Sequence, residues 1–260
     1  MKITLLAILI IMASSLKAQP DSLLSGVYNL DSIKAKITAG VQKKPQLLRS
    51  TTDLATLSYH ASILEPGKTN HPPRALNDVE ELILVKDGQL TININDSNKI
   101  MGPGSIALIV AGDVQSFQNA SIKPVSYYVL GFKSRSPVNI NRGKANGCSL
   151  LKDWNELTVK KTNKGESRPV FDRPTSMFPK FEVHATTLNV GEESHPVHTH
   201  RAEEIMLLMK GSITMNIAST KYKAVTGDLI LLRPDVPHNL TNTGSEQCWY
   251  YAIKWYRINE

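Results

Sequence analysis

The chain is poor in the residues that announce the commonest kinds of site. It has only two cysteines in 260 residues, Cys148 and Cys248, with no CxxC pair or cysteine cluster, so a zinc ribbon or a disulfide-stapled miniature fold is excluded. No GxSxG elbow, P-loop or dinucleotide fingerprint occurs, which removes serine hydrolases, nucleoside triphosphatases and nicotinamide enzymes. No arginine-rich run occurs either. The lysines are scattered (Lys43-Lys44, Lys160-Lys161, Lys221, Lys223), as on an ordinary solvated surface, and nucleic acid is not an expected partner. After residue 18 no apolar run approaches the roughly 18 residues of a membrane span.

The start of the chain does carry an apolar run. MKITLLAILIIMASSLKA sets Lys2 before Ile3 to Met12 and ends on small residues at Ala18, the pattern of a cleavable signal peptide over 1–18. The expectation is an exported protein, periplasmic or secreted, with no membrane anchor after cleavage. Cleavage would remove Lys2 and Lys17 and no acid, taking the formal charge from +7 to +5. In an oxidising compartment Cys148 and Cys248 could pair, and spacing alone leaves a disulfide and two free thiols equally open.

What is present is a duplication. At an offset of 123 residues Glu81 falls on Glu204, Gly88 on Gly211, Gly104 on Gly227, Asn119 on Asn242 and Tyr127-Tyr128 on Tyr250-Tyr251. Upstream the offset is 124: YHASILEPG (59–67) lies over VHATTLNVG (183–191), and His71-Pro72 over His195-Pro196. Each repeat consists of short apolar or alternating runs punctuated by turns, such as LILV, QLTININ and SIALIV, or IMLLM, SITMNIA and DLILL. Runs of that length and spacing predict an all-β fold of sandwiches or barrels. The expected organisation is a first barrel over 19–135 with an N-terminal arm, a polar, Gly-containing linker over 136–150, and a second barrel over 151–260. The stretch Ser22 to Lys36 is compatible with a helix.

The repeats differ in their histidines. Of seven, His60 pairs with His184 and His71 with His195, whereas His198, His200 and His238 occur only in the second half. Alternation along a strand would turn His198, His200 and Glu204 to one side and Glu203 to the other, as a solvated carboxylate. His238 would join from a different strand. Three imidazoles and one carboxylate suit one divalent transition metal, Mn, Fe, Co, Ni, Zn or Cu. Against these, the first half has Ala75, Asn77 and Gln115, keeping only Glu81, and is expected to hold no metal. His184 and His195, having counterparts there, read as structural.

Gly191, His198-Thr-His200, Glu204 and Gly211, followed by GDLILLRPDVPHNLTN (227–242), resemble the two signature motifs of the cupin superfamily. The resemblance implies one jelly-roll barrel per repeat, hence two tandem cupin domains. Arg233 and Asp235 stand where cupins usually carry Pro and Gly. Among two-barrel cupins the layout resembles the (S)-ureidoglycine aminohydrolase family, with a metal, usually manganese, only in the C-terminal barrel. That family's ligands are Glu, His, His and Gln at the positions of His198, His200, Glu204 and His238. A three-His, one-Glu set is instead similar to germin-like oxidases and quercetinase-type dioxygenases.

Three functions are compatible with these residues: a hydrolase or lyase acting on a small polar molecule, an oxidase or dioxygenase, and a non-catalytic binding barrel for a sugar or acid. Glu204 is the expected catalytic residue. Arg201, beside the ligands, is a candidate anchor for an anionic substrate, and Trp249, with Tyr251 and Trp255, a candidate cavity wall. The sequence leaves a homo-oligomer open.

Overall fold

The structure, a computed structural model, describes residues 22–29, 36–38, 41–43 and 47–257. The signal-peptide segment lies outside them. Among the described residues no helix is long and apolar enough to cross a membrane.

Each repeat forms a barrel of one large and one small antiparallel sheet. In the first barrel the central strands of the large sheet lie in the order Ile106–Ile109, Glu80–Asp87, Val125–Ser134, Leu54–Leu64. Their repeat partners in the second lie in the same order: Leu229–Leu232, Glu203–Lys210, Cys248–Tyr256, Lys180–Leu188. The fold class is therefore the expected one, all-β and duplicated.

The large sheets explain why their strands read as continuous apolar runs. Alternate residues of one strand face opposite sides, and here both sides are covered. Ile83 and Val85 face the interior of the first barrel; Met206 and Leu208 face that of the second. The other parity, Leu82 and Leu84 with Ile205 and Leu207, meets in a third core where the two sheets pack on each other. Phe132, Phe178, Phe181 and Trp255 interlock there, with Phe132 5.3 Å from Phe181 and 5.5 Å from Trp255, ring centre to ring centre. Burying such rings is the largest apolar contribution to joining the barrels.

Each barrel also lends the other an edge strand. Gly26–Tyr28, from the arm before the first barrel, pairs with Leu229–Leu232 of the second. Leu150–Lys152, 124 residues further on, pairs with Ile106–Ile109 of the first. Of the stretch Ser22 to Lys36 considered for a helix, 30–35 lie outside the described residues, and within 22–29 the regular element is the strand Gly26–Tyr28, in which Val27 gains a hydrophobic neighbourhood in the second barrel that an isolated helix would not provide. The connection between the barrels is not wholly irregular either. It contains a short helix, Ile140–Ala145, capped by the Asn139 side chain.

Glu203 does not face solvent. Its parity is as expected, opposite to Glu204, but that face is the covered one, and the residue is fully buried. Its carboxylate accepts bonds from Thr51 Oγ1 at 2.6 Å and from the N–H groups of Thr52 and Asp53, both at 3.1 Å. Both cysteines are free, Cys148 half-buried and Cys248 buried. Burial pushes the Cys248 thiol up to about 11, which makes it an inert core residue.

Candidate metal centre

Three imidazoles converge in the second barrel. His198 and His200 come not from a regular strand, as their alternation had suggested, but from the irregular segment that precedes Glu203–Lys210. What fixes His198 is a pair of backbone bonds with the first residue of His238–Asn242: His198 N–H to His238 O at 3.3 Å, and His238 N–H to His198 O at 3.0 Å. The rings stand 4.5 Å (His198, His238), 4.9 Å (His200, His238) and 5.4 Å (His198, His200) apart. One nitrogen from each of the three lies within 4.8 Å of the others.

Glu204 lies against two of these imidazoles. Its Oε2 is 2.8 Å from His200 Nε2 and 3.5 Å from His238 Nε2, and the carboxyl is almost wholly buried. Donors about 2.1 Å from a shared ion stand about 3.0–3.4 Å from each other, and the two Glu204 separations fall on either side of that range.

The protons decide the fit. His200 Nδ1 is 2.9 Å from Ala202 O and His238 Nδ1 is 2.8 Å from Val236 O. A carbonyl only accepts, so in each ring Nδ1 carries the hydrogen and, in the neutral ring, Nε2 carries the lone pair. Those lone pairs then face the Glu204 carboxylate, acceptor against acceptor, and His238 Nε2 is buried without a hydrogen bond. A cation between them resolves the conflict, and backbone carbonyls on the remote nitrogens are the usual outer support of metal-binding histidines.

The electrostatics agree. Burial alone would raise the Glu204 carboxyl, but His200, His238 and the Lys254 ammonium outweigh it and hold it well below the usual carboxylate range. Burial and the three neighbouring imidazoles push His198 down to about 4, keeping it neutral and able to ligate.

The neighbouring candidates separate. His195 stacks edge-on against His198 at 4.0 Å, and its Nδ1 bonds only to the next carbonyl, Pro196 O, at 3.0 Å. His71 does the same with Pro72 O at 2.8 Å, in the barrel where no group of three potential ligands is found among the described residues. Arg201 is exposed, next to His200. Trp249 does not line the cavity. It shares a strand face with Tyr251 and Trp255, and that face packs on the first barrel; Trp249 stacks on Trp154 at 4.7 Å. The inner face of the same strand carries Tyr250, Ala252 and, by alternation, Lys254, none of which was singled out beforehand. The burial parity of the strand, set by the interface, was the missing signal.

In the first barrel the equivalent place is filled differently. Gln115, the counterpart of His238, pairs with Arg74, so the one-residue difference between repeats falls after Arg74. Arg74, rather than Ala75, therefore stands where His198 stands. Gln115 Nε2 donates to Glu81 Oε2 at 2.5 Å, so an amide occupies the acceptor that an ion would otherwise share.

The turn before His238 keeps its shape despite its unusual residues. Asp235 takes the left-handed backbone conformation that favours glycine, with φ 60°, and donates its N–H to His200 O at 2.9 Å. Arg233 reaches the first barrel, its Nε donating to Thr52 Oγ1 at 3.0 Å.

Residues 184–254, a stretch containing all four converging side chains, match the family model described as cupin domain. Among solved structures the chain is similar to a Pseudomonas aeruginosa protein provisionally described as glyoxylate induced, with 13% identity, 94% of each chain covered and a TM-score of 0.73. It is similar to the Ylba protein of E. coli, at 15% identity over 90% of this chain and 92% of that one, TM-score 0.66. It is also similar to a Lactobacillus farciminis oxalate decarboxylase in complex with formate, at 12% identity over 92% and 88%, TM-score 0.69. At such identities the likeness is one of fold. No curated protein matches by sequence. The molecule is thus an all-β protein of two jelly-roll barrels with a histidine cluster in the second. Its second barrel contains the stretch that matches the cupin-domain model, and its fold is similar to that of the solved structures named above.

Proposed function

We infer that this is an exported enzyme whose second barrel holds one divalent transition metal through His198, His200, Glu204 and His238. Its chemistry is metal-assisted, hydrolytic or eliminative, on a small polar substrate. One observation carries the reading: Nε2 of His200 and of His238 face a buried carboxylate while their Nδ1 hydrogens are committed to backbone carbonyls. Such a donor set is suited to a cation.

Three neutral imidazoles and one carboxylate leave a bound dication with a net positive charge, and manganese fits the mixed nitrogen and oxygen set. When bound, the ion would act as a Lewis acid on a carbonyl or carboxylate oxygen, or acidify a bound water. The residues' own parts are to hold that charge, through Glu204, and to keep the site fixed, through the backbone pairing of His198 with His238. The first barrel contributes the shared core and the exchanged strand.

The test is metal analysis of the purified mature protein followed by a substrate screen in air and without oxygen. One metal equivalent per chain is expected, lost in His200→Ala and kept in Gln115→Ala. Two equivalents, or full retention without His200, would overturn the assignment. Turnover that consumes oxygen stoichiometrically would move the protein to the oxidase class. Glu204→Gln should reduce turnover far more than binding, and equal loss of both would favour a binding barrel.

A further inference from the structure

A single ion makes an incomplete acid–base mechanism, because something must take a proton from the substrate or its attacking water and return one to the leaving group. The inner face of the second barrel carries a candidate for that task. On Lys180–Leu188 the residues Phe181, Val183 and Ala185 pack into the inter-barrel core, so Glu182, His184 and Thr186 occupy the other face, with Leu188 in the barrel interior. Across the sheet Glu204, Lys254 and Glu182 stand in one row, since Lys254 is the backbone partner of both carboxylates. Glu182 Oε1 lies 3.4 Å from His184 Nδ1, and each side chain is about a quarter exposed, 28% and 26%.

The duplication shows which of these groups came with the histidine cluster. The first barrel keeps the histidine, as His60, but has Ser58 in place of Glu182 and Gly131 in place of Lys254. There is no room for a longer pair there: a Cβ on Gly131 would lie 2.4 Å from Ser58 Oγ. The carboxylate beside the imidazole and the ammonium beside the carboxylate are therefore confined to the barrel that holds the three convergent histidines. A purely structural histidine would need neither.

We propose that His184, oriented by Glu182, is the general acid–base residue of the second barrel. This rests on the metal reading of the same barrel. Glu182 faces Nδ1, which fixes the hydrogen there and leaves Nε2 as the base. In the forward step Nε2 forms an N–H bond to a proton released from a substrate N–H or O–H or from water, whose electron pair stays on the attacking or departing atom. Glu182 stabilises the resulting imidazolium, and the same proton then passes to the leaving group, so no oxidant or reductant is required. The bond with His184, and after it the charge of Lys254 on the adjacent strand, hold the Glu182 carboxyl below its usual range against burial; Lys180 on the same strand and Asp172 on the strand to its other side also carry charge beside the pair.

The experiment is imidazole ¹⁵N NMR on the whole mature protein, metal-free and loaded with Zn²⁺, with Glu182→Gln and His184→Asn as variants. In wild type, neutral His184 should be the Nδ1–H tautomer, and the population of the Nε2–H tautomer should rise in Glu182→Gln, where a weaker neutral acceptor replaces the carboxylate that holds the hydrogen. A neutral Nε2–H tautomer in wild type, or a tautomer ratio unmoved in Glu182→Gln, would overturn the proposal. His184→Asn should retain Zn²⁺ and, on any substrate turned over by wild type, lose at least about a hundredfold in kcat together with the acidic limb of the pH profile, KM changing little. Undiminished turnover would sink the assignment. Failure of wild type to take up Zn²⁺ would count against the metal reading alone, since the tautomer in the metal-free protein concerns only the pair.

Discussion

Glu80 and Glu203 do the same job in opposite directions: each leaves its own barrel to cap a turn of the other. Glu203 takes the side chain of Thr51 and the N–H groups of Thr52 and Asp53; Glu80, 123 residues earlier, takes the N–H groups of Ser176 at 2.7 Å and Met177 at 3.2 Å. The capped turns are themselves repeat partners, with Leu54 N–H on Thr51 Oγ1 and Phe178 N–H on Thr175 Oγ1. A buried carboxylate satisfied by backbone donors fixes the position of a turn more narrowly than apolar contact alone. The two clasps therefore set the register of the barrels on each other.

Glu80 makes that clasp sensitive to pH. Burial pushes its carboxyl up to about 7 against the bonds it accepts, while the unfolded value is the ordinary one near 4.5. The folded state thus favours the protonated form. Its contribution to stability is complete below about pH 4.5 and is lost as pH rises through 7, on the order of 3 kcal/mol at most. The difference in unfolding free energy between wild type and Glu80→Gln, measured with metal removed by chelation, should decline across that window. A difference independent of pH would refute the assignment, and using the difference cancels the histidines that titrate in both proteins.

The duplication, the all-β class and the four convergent residues were legible in the sequence because they depend on spacing and on residue type. The fate of Glu203 and Trp249 was not. Both were placed on the correct strand face or strand, but whether an outer face meets water or another sheet is a property of how two barrels pack, and no periodicity within one strand records it. The exchanged strands were hidden for the same reason: Gly26–Tyr28 and Leu150–Lys152 are three residues long, and only a partner in the other repeat makes them strands. Arg74 was misplaced by one residue because nothing between His71 and Glu81 fixes the alignment until Gln115 is seen paired with it.

Trp249 belongs to the interface, stacked on Trp154, whose ring also meets the Arg168 guanidinium 4.3 Å from its centre. Trp249→Ala should therefore lower stability by about 1–3 kcal/mol, less than a fully buried tryptophan would cost, and leave the metal content at one equivalent. Denaturant titration with parallel metal analysis checks both. Loss of metal from a folded Trp249→Ala protein would return the residue to the cavity.

Asp235 pays for a turn that glycine would make without strain. With φ 60° and an exposed side chain, Asp235→Gly should raise stability by about 0.5–1 kcal/mol, the backbone relief being partly offset by the greater freedom of glycine in the unfolded chain. Metal content should not change, because the N–H that bonds His200 O is kept. A thermal midpoint below wild type would show that the aspartate side chain stabilises the turn in some other way.

His195 is the sharpest test of where the site ends. Its ring touches His198 and stands 6.1 Å from His238, close enough to be taken for a ligand. It is not, however, one of the three histidines whose ligand nitrogens gather within 4.8 Å of one another, and its Nδ1 contact with the next carbonyl recurs at His71 in a barrel where Glu81 is bonded by an amide. Burial lowers its proton affinity, which keeps the ring neutral against His198 and adds no charge to the cluster. His195→Gln should accordingly keep one metal equivalent, whereas His198→Gln should lose it. Because the ring is half-buried and its bond is local, the stability cost should be small, within about 1 kcal/mol, below that of losing a fully buried hydrogen bond. Competition with a coloured chelator gives the affinity directly. A loss of more than about a hundredfold in His195→Gln, comparable to removing an outer support of a ligand, would mean that His195 holds His198 in place and that the site extends to it.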